Sequence, residues 1–142
     1  MAQEPIMEFD IKINPEDITT MQANNGEVVF IPFGGTVESK LFSGTVRPGA
    51  ADVQNVNPAG VRHMRASYIF EGTDCEGNAC HLFVENNGYF ERGEMKMPFE
   101  VTPTFKTDSP ALASYLHTAR FRSEGYPNPE GVIIKIFDIL AE

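Results

Sequence analysis

Hydrophobic and polar positions alternate with a period of two along most of the chain, and no long stretch keeps the 3.6-residue period of an amphipathic helix. The alternation predicts strands over Ile6–Asn14, Glu27–Phe33, Lys40–Arg47, Ala51–Asn57, Val61–Thr73, Ala79–Asn86, Phe99–Lys106, Tyr115–Arg122 and Val132–Ile139. Residues that tolerate positive φ or preset a turn punctuate them: Asn24-Asn25-Gly26, Gly34-Gly35, Pro48-Gly49, Asn57-Pro58-Ala59-Gly60, Glu76-Gly77-Asn78 and Asn86-Asn87-Gly88. Asp108-Ser109-Pro110 predicts one short helix through Ala113, begun by a capping side chain with proline in the first turn. Short, evenly spaced antiparallel strands imply a sandwich or a barrel, and the barrel is favoured because closure removes edges open to aggregation. The expectation is an all-β chain: one closed, meander-like antiparallel barrel of about eight or nine strands. It forms a single domain over residues 1–142, frayed at 1–4 and 141–142.

One hairpin's register follows from its turn. With Glu76 and Gly77 as a two-residue tip, Tyr68 faces Glu85, Phe70 faces Phe83 and Ser67 faces Asn86. One face then carries Met64, Tyr68, Phe70, Phe83 and Glu85, and the other Arg65, Ser67, Ile69, Leu82 and Val84. Mixed polarity on both faces is what the wall of a barrel with a ligand cavity requires.

Composition narrows the partners. A formal charge of −9 at pH 7 repels phosphate backbones and anionic lipid surfaces, so nucleic acid and membrane are excluded as expected partners. No apolar run reaches the roughly 18 residues of a membrane helix, and Met1-Ala2-Gln3-Glu4-Pro5 lacks the features of a signal peptide, so the expected location is the cytoplasm. Two cysteines, Cys75 and Cys80, are too few for a disulfide scaffold and are expected as free thiols, although their places beside the hairpin tip would let them bridge under oxidation. Together with His63, His81 and His117 they match no zinc spacing, and no metal is expected. No P-loop, dinucleotide fingerprint or nucleophile elbow occurs, so no cofactor is expected either.

Three groups of side chains could carry chemistry. Asp52 and Gln54 share a face of a short strand, where they could point at a ligand's polar group or simply bond neighbouring loops. Tyr68 and Glu85, opposed in the inferred register, would form a phenol–carboxylate pair beside Phe70 and Phe83, where burial would raise the Glu85 pKa towards that of a general acid or base. As a bland alternative, the pair is one satisfied contact in a barrel wall. His117, read as lying on a strand with Tyr115, Ala119 and Phe121, would project an imidazole among aromatics, as a catalyst or as a hydrogen-bonded wall residue.

The order Phe33-Gly34-Gly35-Thr36-Val37-Glu38, then Leu41-Phe42-Ser43-Gly44-Thr45-Val46-Arg47-Pro48-Gly49-Ala50-Ala51-Asp52-Val53-Gln54, resembles the family catalogued as domain of unknown function 3237, also called uncharacterised protein family 0311. The similarity runs from about Val28 to Ile139 and includes Ala66-Ser67-Tyr68, Asp74 to Gly77, Asn87-Gly88, Phe105-Lys106-Thr107, Tyr115-Leu116 with Phe121, and Gly131-Val132-Ile133. The resemblance implies a closed β-barrel and no agreed activity. This chain departs from the family pattern at Gly49-Ala50-Ala51-Asp52-Val53, where Gly-Gly-Ala-Asp-Trp is usual, at Arg65-Ala66-Ser67-Tyr68, where Asp-Ala-Arg-Tyr is common, and at His117, where Asn is expected.

The first reading is a barrel that binds a small, largely apolar molecule with one polar group, gripped by Asp52, Gln54, Tyr68, Glu85 and His117 among Phe70, Phe83 and Phe121. The alternative is an enzyme in the same cavity performing cofactor-free proton transfer, with Glu85 or His117 as base and Tyr68 as hydrogen-bond donor. A third is a structural subunit, and assembly into a homo-oligomer stays open.

Overall fold

The structure is a computed structural model that describes residues 3–91 and 96–141. Its strands are β1 (Met7–Lys12), β2 (Thr19–Ala23), β3 (Gly26–Pro32), β4 (Gly34–Glu38), β5 (Phe42–Val46), β6 (Ala51–Val56), β7 (Val61–Asp74), β8 (Ala79–Glu91), β9 (Phe99–Thr107), β10 (Phe121–Asn128) and β11 (Gly131–Asp138). A short helix, α1 (Pro110–Leu116), lies between β9 and β10.

Eight strands close an antiparallel barrel in the order β7-β5-β4-β1-β11-β10-β9-β8, with β8 returning to β7. Consecutive strands β7 to β11 form a meander, and β1 completes the ring by pairing with both β11 and β4. Alternation sets the inward face. Met7, Phe9 and Ile11 stand opposite Ile136, Ile134 and Val132 and point into the barrel with them, while Glu8 and Asp10 point out. The remaining three strands form a flap. On one edge β7 pairs with β6 through its first half and with β5 through its second, so β6, β3 and β2 extend the sheet sideways beyond the ring.

Gly34-Gly35 is the corner where the chain leaves the flap and enters the barrel wall, with Phe33 alone between β3 and β4. Gly35 has φ +150, and a Cβ on it would lie 2.3 Å from the Asp10 carbonyl oxygen, so β1 packs against bare backbone.

Four expectations need correction. First, the hairpin tip is a three-residue loop, not a two-residue one. Asp74 N–H donates to the Asn78 carbonyl at 3.0 Å, and Gly77 takes a positive φ of 81°, the arrangement of a three-residue turn with a left-handed glycine. The Asp74 carboxylate selects this turn by accepting the N–H groups of Glu76 and Asn78 at 2.9 and 3.0 Å. One extra loop residue moves the register by one, so Tyr68 faces Val84, Ser67 faces Glu85 and Phe70 faces Leu82. Second, Asn86-Asn87-Gly88 is not a turn but the middle of β8, where Asn86 faces inward and finds buried partners. Third, Tyr115–Arg122 is not one strand. Leu112 and Leu116, one helical turn apart, bury the same face of α1, and β10 starts only at Phe121. Fourth, β2 and β4 have no counterpart among the predicted strands: all five residues of β2 are exposed, so no alternation marks it, and β4 begins at the Gly34-Gly35 pair that reads as a turn.

The core fills one end of the barrel. Phe9, Phe42, Phe70, Leu82, Val84 and Ile136 meet there, and α1 plugs it with Leu112 and Leu116. Of the termini expected to fray, residues 1, 2 and 142 lie outside the described residues, and Gln3 donates from its amide to the Asp138 carbonyl. No helix among the described residues is long and apolar enough to cross a membrane.

Candidate functional site

The opposite end is hollow. A cavity of about 210 Å³ lies between the barrel mouth and the inner face of the flap. Register explains why space is left there. Ile31, Asp52, Ala66 and Asn86 form one inward row across β3, β6, β7 and β8, and Ala66 is the small residue between two polar ones. One row deeper on β7 stands Tyr68, and one row nearer the mouth stands Met64 beside Gln54. Ile11, Ile13, Val132 and Ile134 supply the facing wall, and Phe33 closes the flap side. Phe99 can lie along that wall only because residue 125 is glycine, where a Cβ would fall 2.0 Å from the Phe99 ring. Larger hollows of about 540 and 580 Å³ are open grooves on the outer surface, lined by solvent-facing side chains such as Glu8 and Glu38.

Two directional chains of hydrogen bonds run to the cavity. In one, the Arg62 guanidinium donates to Gln54 Oε1 at 2.8 Å, and Gln54 Nε2 donates to Asp52 Oδ2 at 2.8 Å. Arginine cannot accept, so Gln54 has to turn its amide nitrogen to Asp52. The other Asp52 oxygen, Oδ1, is buried with no partner. Burial raises the Asp52 pKa, against the smaller opposing pull of Gln54 and Arg62. In the second chain, Ser123 Oγ donates to Asn86 Oδ1 at 2.7 Å and Asn86 Nδ2 donates to the Tyr68 hydroxyl at 3.3 Å. Tyr68 therefore receives one hydrogen bond and keeps its own proton to give. It is 4% exposed, with its ring edge-on to Phe33 at 5.0 Å and Phe70 at 5.6 Å, and burial pushes its pKa upward, so it stays a neutral phenol. The cavity is thus lined by a phenol that keeps its own proton and by a carboxyl with one buried, unpartnered oxygen, among mostly apolar side chains.

Of the residues singled out from the sequence, Asp52, Gln54 and Tyr68 line this cavity. The others lie elsewhere. Glu85 faces outward and accepts from Ser67 Oγ at 2.9 Å and Arg65 at 3.2 Å; these contacts, Ser67 foremost, lower its pKa, the reverse of the burial-driven rise expected from the two-residue turn. Phe83 shares that outer face. Phe70 is packed in the filled end, as is Phe121, edge-on to Phe105 and Tyr115. His117 caps α1 rather than standing on a strand, and its Nε2 accepts the Thr107 N–H at 2.9 Å. Sequence reading missed Asn86 and Ser123, which orient Tyr68, and Arg62, which orients Gln54. Among these, Arg62 was legible: with Met64, Ala66 and Tyr68 it falls on the same face by period two. Cys75 and Cys80 are free, and among the described residues no three His, Cys, Asp or Glu side chains cluster as metal ligands would.

Solved structures share the whole architecture. A protein with unknown function from Clostridium acetobutylicum is 27% identical, with a TM-score of 0.76 over 98% of this chain and 99% of the other. A conserved protein of unknown function from Rhodopseudomonas palustris is 27% identical, with a TM-score of 0.70 over 95% of each chain. A β-barrel-like protein from Acinetobacter baumannii, at 21% identity, shares the fold with a TM-score of 0.74 over 96% of this chain and 94% of its own. No curated protein matches the chain. The family model described as "Protein of unknown function (DUF3237)" matches residues 1–139, and the chain belongs to that family.

Proposed function

We propose that the cavity binds a small, mostly apolar molecule whose one polar group takes a hydrogen bond from Tyr68 and gives one to Asp52. The observation that carries this reading is the bare Asp52 Oδ1, buried at the edge of an apolar space while its sister oxygen is bonded. A buried acceptor without a partner costs about 1–3 kcal/mol, and a ligand that donates to it relieves that cost. A hydroxyl or an undissociated carboxyl fits both groups at once. The volume, below the roughly 300–1,000 Å³ of pockets for drug-sized ligands, limits the molecule to a small one.

Mass spectra of the freshly purified protein under native and denaturing conditions test this, followed by thermal shifts across small alcohols, phenols and carboxylic acids. Binding predicts a co-purifying mass or a shift that Asp52→Ala and Tyr68→Phe each reduce and Ala66→Phe abolishes by filling the space. A shift of equal size in all three folded variants, or none with any compound, overturns it.

A second reading has its own support: a carboxyl of raised pKa and a neutral phenol face one apolar space. With Glu85 and His117 outside that space, the base would be Asp52. The Asp52 carboxylate would take a proton from the carbon between a carbonyl and a C=C bond, and the C–H electron pair would form a new C=C bond as the carbonyl π pair moves onto the oxygen held by Tyr68. The resulting dienolate would re-form the carbonyl as it takes the proton back from Asp52 at the far carbon of the original double bond. Asp52-dependent exchange of that hydrogen for deuterium in heavy water, followed by NMR, separates this reading from binding alone.

A further inference from the structure

Among the described residues, ten of the eleven strands have at least two neighbours, and β2 has one. We propose that the free edge of β2 pairs with the same edge of a second copy of this chain, giving a symmetric antiparallel dimer in which the two flaps form one continuous sheet.

The ladder points to this edge. Asn24-Asn25 is a two-residue turn closing Ala23 against Gly26, so Ala23, Met21 and Thr19 exchange hydrogen bonds with β3. Thr20 and Gln22 consequently turn their N–H and C=O groups away from β3, towards solvent. Natural sheets guard such an edge with lysine, proline, a bulge or inward charge. Thr19-Thr20-Met21-Gln22-Ala23 carries none of these and no charge. The flap also exposes apolar side chains for a neighbour to cover: Met21 at 54% and, on β3, Phe30 at 44%.

Self-pairing satisfies the edge better than a foreign strand of unknown spacing, because the second copy offers the same donors and acceptors at the same spacing. When Met21 is set opposite the partner's Met21, Thr20 meets the partner's Gln22 and each pair exchanges two backbone hydrogen bonds. Glu16 and Asp17 stand just before β2, and Asn24 and Asn25 just after it. The antiparallel arrangement places the acids of one copy beside the amides of the other, whereas a parallel one would stack acid on acid. The β3 and β6 strands behind this edge carry Ile31, Asp52 and Gln54, so pairing would also stiffen one wall of the cavity. At a charge of −9 per chain the copies repel, so association strengthens with salt.

Sedimentation equilibrium of the full chain, from micromolar to millimolar concentration and at low and high salt, is the measurement, with circular dichroism confirming that every variant is folded. Wild type is expected to dimerise, more tightly in high salt. Met21→Lys and Met21→Asp, both at an exposed position, each place like charges face to face at the symmetry axis, and each alone is expected to weaken association by about tenfold or more. Mixed together, they restore it as a heterodimer. The proposal fails if wild type stays monomeric throughout, if both folded variants dimerise as tightly as wild type, or if their mixture associates no better than either alone.

Discussion

The two ends of the barrel are built from the same alternating strands, yet one is filled and fully bonded while the other is hollow and holds a carboxyl with an oxygen left bare. At the filled end Asp138, 1% exposed, accepts from the Tyr115 hydroxyl at 2.6 Å, from Arg120 Nε at 2.9 Å and Nη2 at 2.8 Å, and from the Leu140 N–H at 2.9 Å. At the hollow end Asp52 has Gln54 on one oxygen and nothing on the other. The same residue type therefore does opposite things. Asp138 ties the chain's last strand to the helix and the loop after it, whereas Asp52 is carried at a cost. A buried polar group left half-satisfied marks a place where local stability has been given up, and such places are where function is expected.

The largest test of this contrast is a pair of truncations. Phe70 at the filled end is fully buried, 4.8 Å from the ring of Phe9 and 6.1 Å from that of Phe42. Phe70→Ala is expected to cost about 3–5 kcal/mol in urea unfolding. Met64 is also buried, but it borders the cavity and already lacks partner atoms on one side. Met64→Ala is therefore expected to cost about 2 kcal/mol or less. Equal losses would mean that the cavity is packed in solution.

The two aspartates give the next effects, with opposite dependence on pH. Arg120, with help from Tyr115 and the Leu140 N–H, holds the Asp138 pKa down to about 2, against an ordinary value near 3.8. A folded pKa below the unfolded one means that the unfolded chain binds more protons in that window. The stabilisation, about 2 kcal/mol, is complete above the ordinary value and fades as pH falls towards 2. Asp138→Asn is expected to lose about that much at neutral pH and to remove this part of the acid dependence. Burial raises the Asp52 pKa, so there the folded chain binds more protons, and stability falls as pH rises from the ordinary carboxyl value through the raised one. Asp52→Asn keeps an acceptor for Gln54 and removes the charge. Its expected stability lies within about 1 kcal/mol of wild type, on the favourable side at neutral pH and converging on wild type in acid. Unfolding curves of both variants across pH check the two signs, and an Asp52→Asn protein less stable at neutral pH would mean that the bare oxygen has a partner in solution.

How much of this was legible depended on which level set each feature. Period-two alternation placed most walls of the barrel, because inward and outward faces differ in polarity at Phe9, Ile11, Ile134 and Ile136, but it left out β4 and all but the first two residues of β10. It could not place β2, whose two faces are both solvated; α1, whose two buried leucines are too few to show a period, was placed by Asp108-Ser109-Pro110 instead, though only through Ala113. The candidate site was read in part. Asp52 and Gln54 emerged from their shared strand face, but Tyr68 was singled out as the cross-strand partner of Glu85, and that pairing rested on counting two residues in a turn that the Asp74 carboxylate makes three. That difference is local and was present in Asp74-x-x-Gly77, where an aspartate can hold the turn and a glycine can take positive φ. Asn86 was hidden for the opposite reason: followed by asparagine and glycine, it has turn composition, and partners from other strands, Ala66 and Pro103 in the sheet with Tyr68 and Ser123 on its side chain, hold it in mid-strand.

The smallest effect concerns a reporter that the filled end already contains. Cys75 is exposed on the hairpin loop, while Cys80, 5% exposed, sits inside the core, its thiol pKa pushed up by burial and further by Asp74 and Asp108. The thiolate is the reactive form, so Cys80 is slowed by access and by ionisation together. A thiol reagent should therefore label one cysteine rapidly and the second only as fast as the filled end opens. Phe70→Ala should accelerate the slow step, and Met64→Ala should leave it nearly unchanged, because the cavity end lies away from Cys80. If both truncations sped Cys80 labelling equally, the two ends would open as one unit, and the difference between them would be one of packing alone.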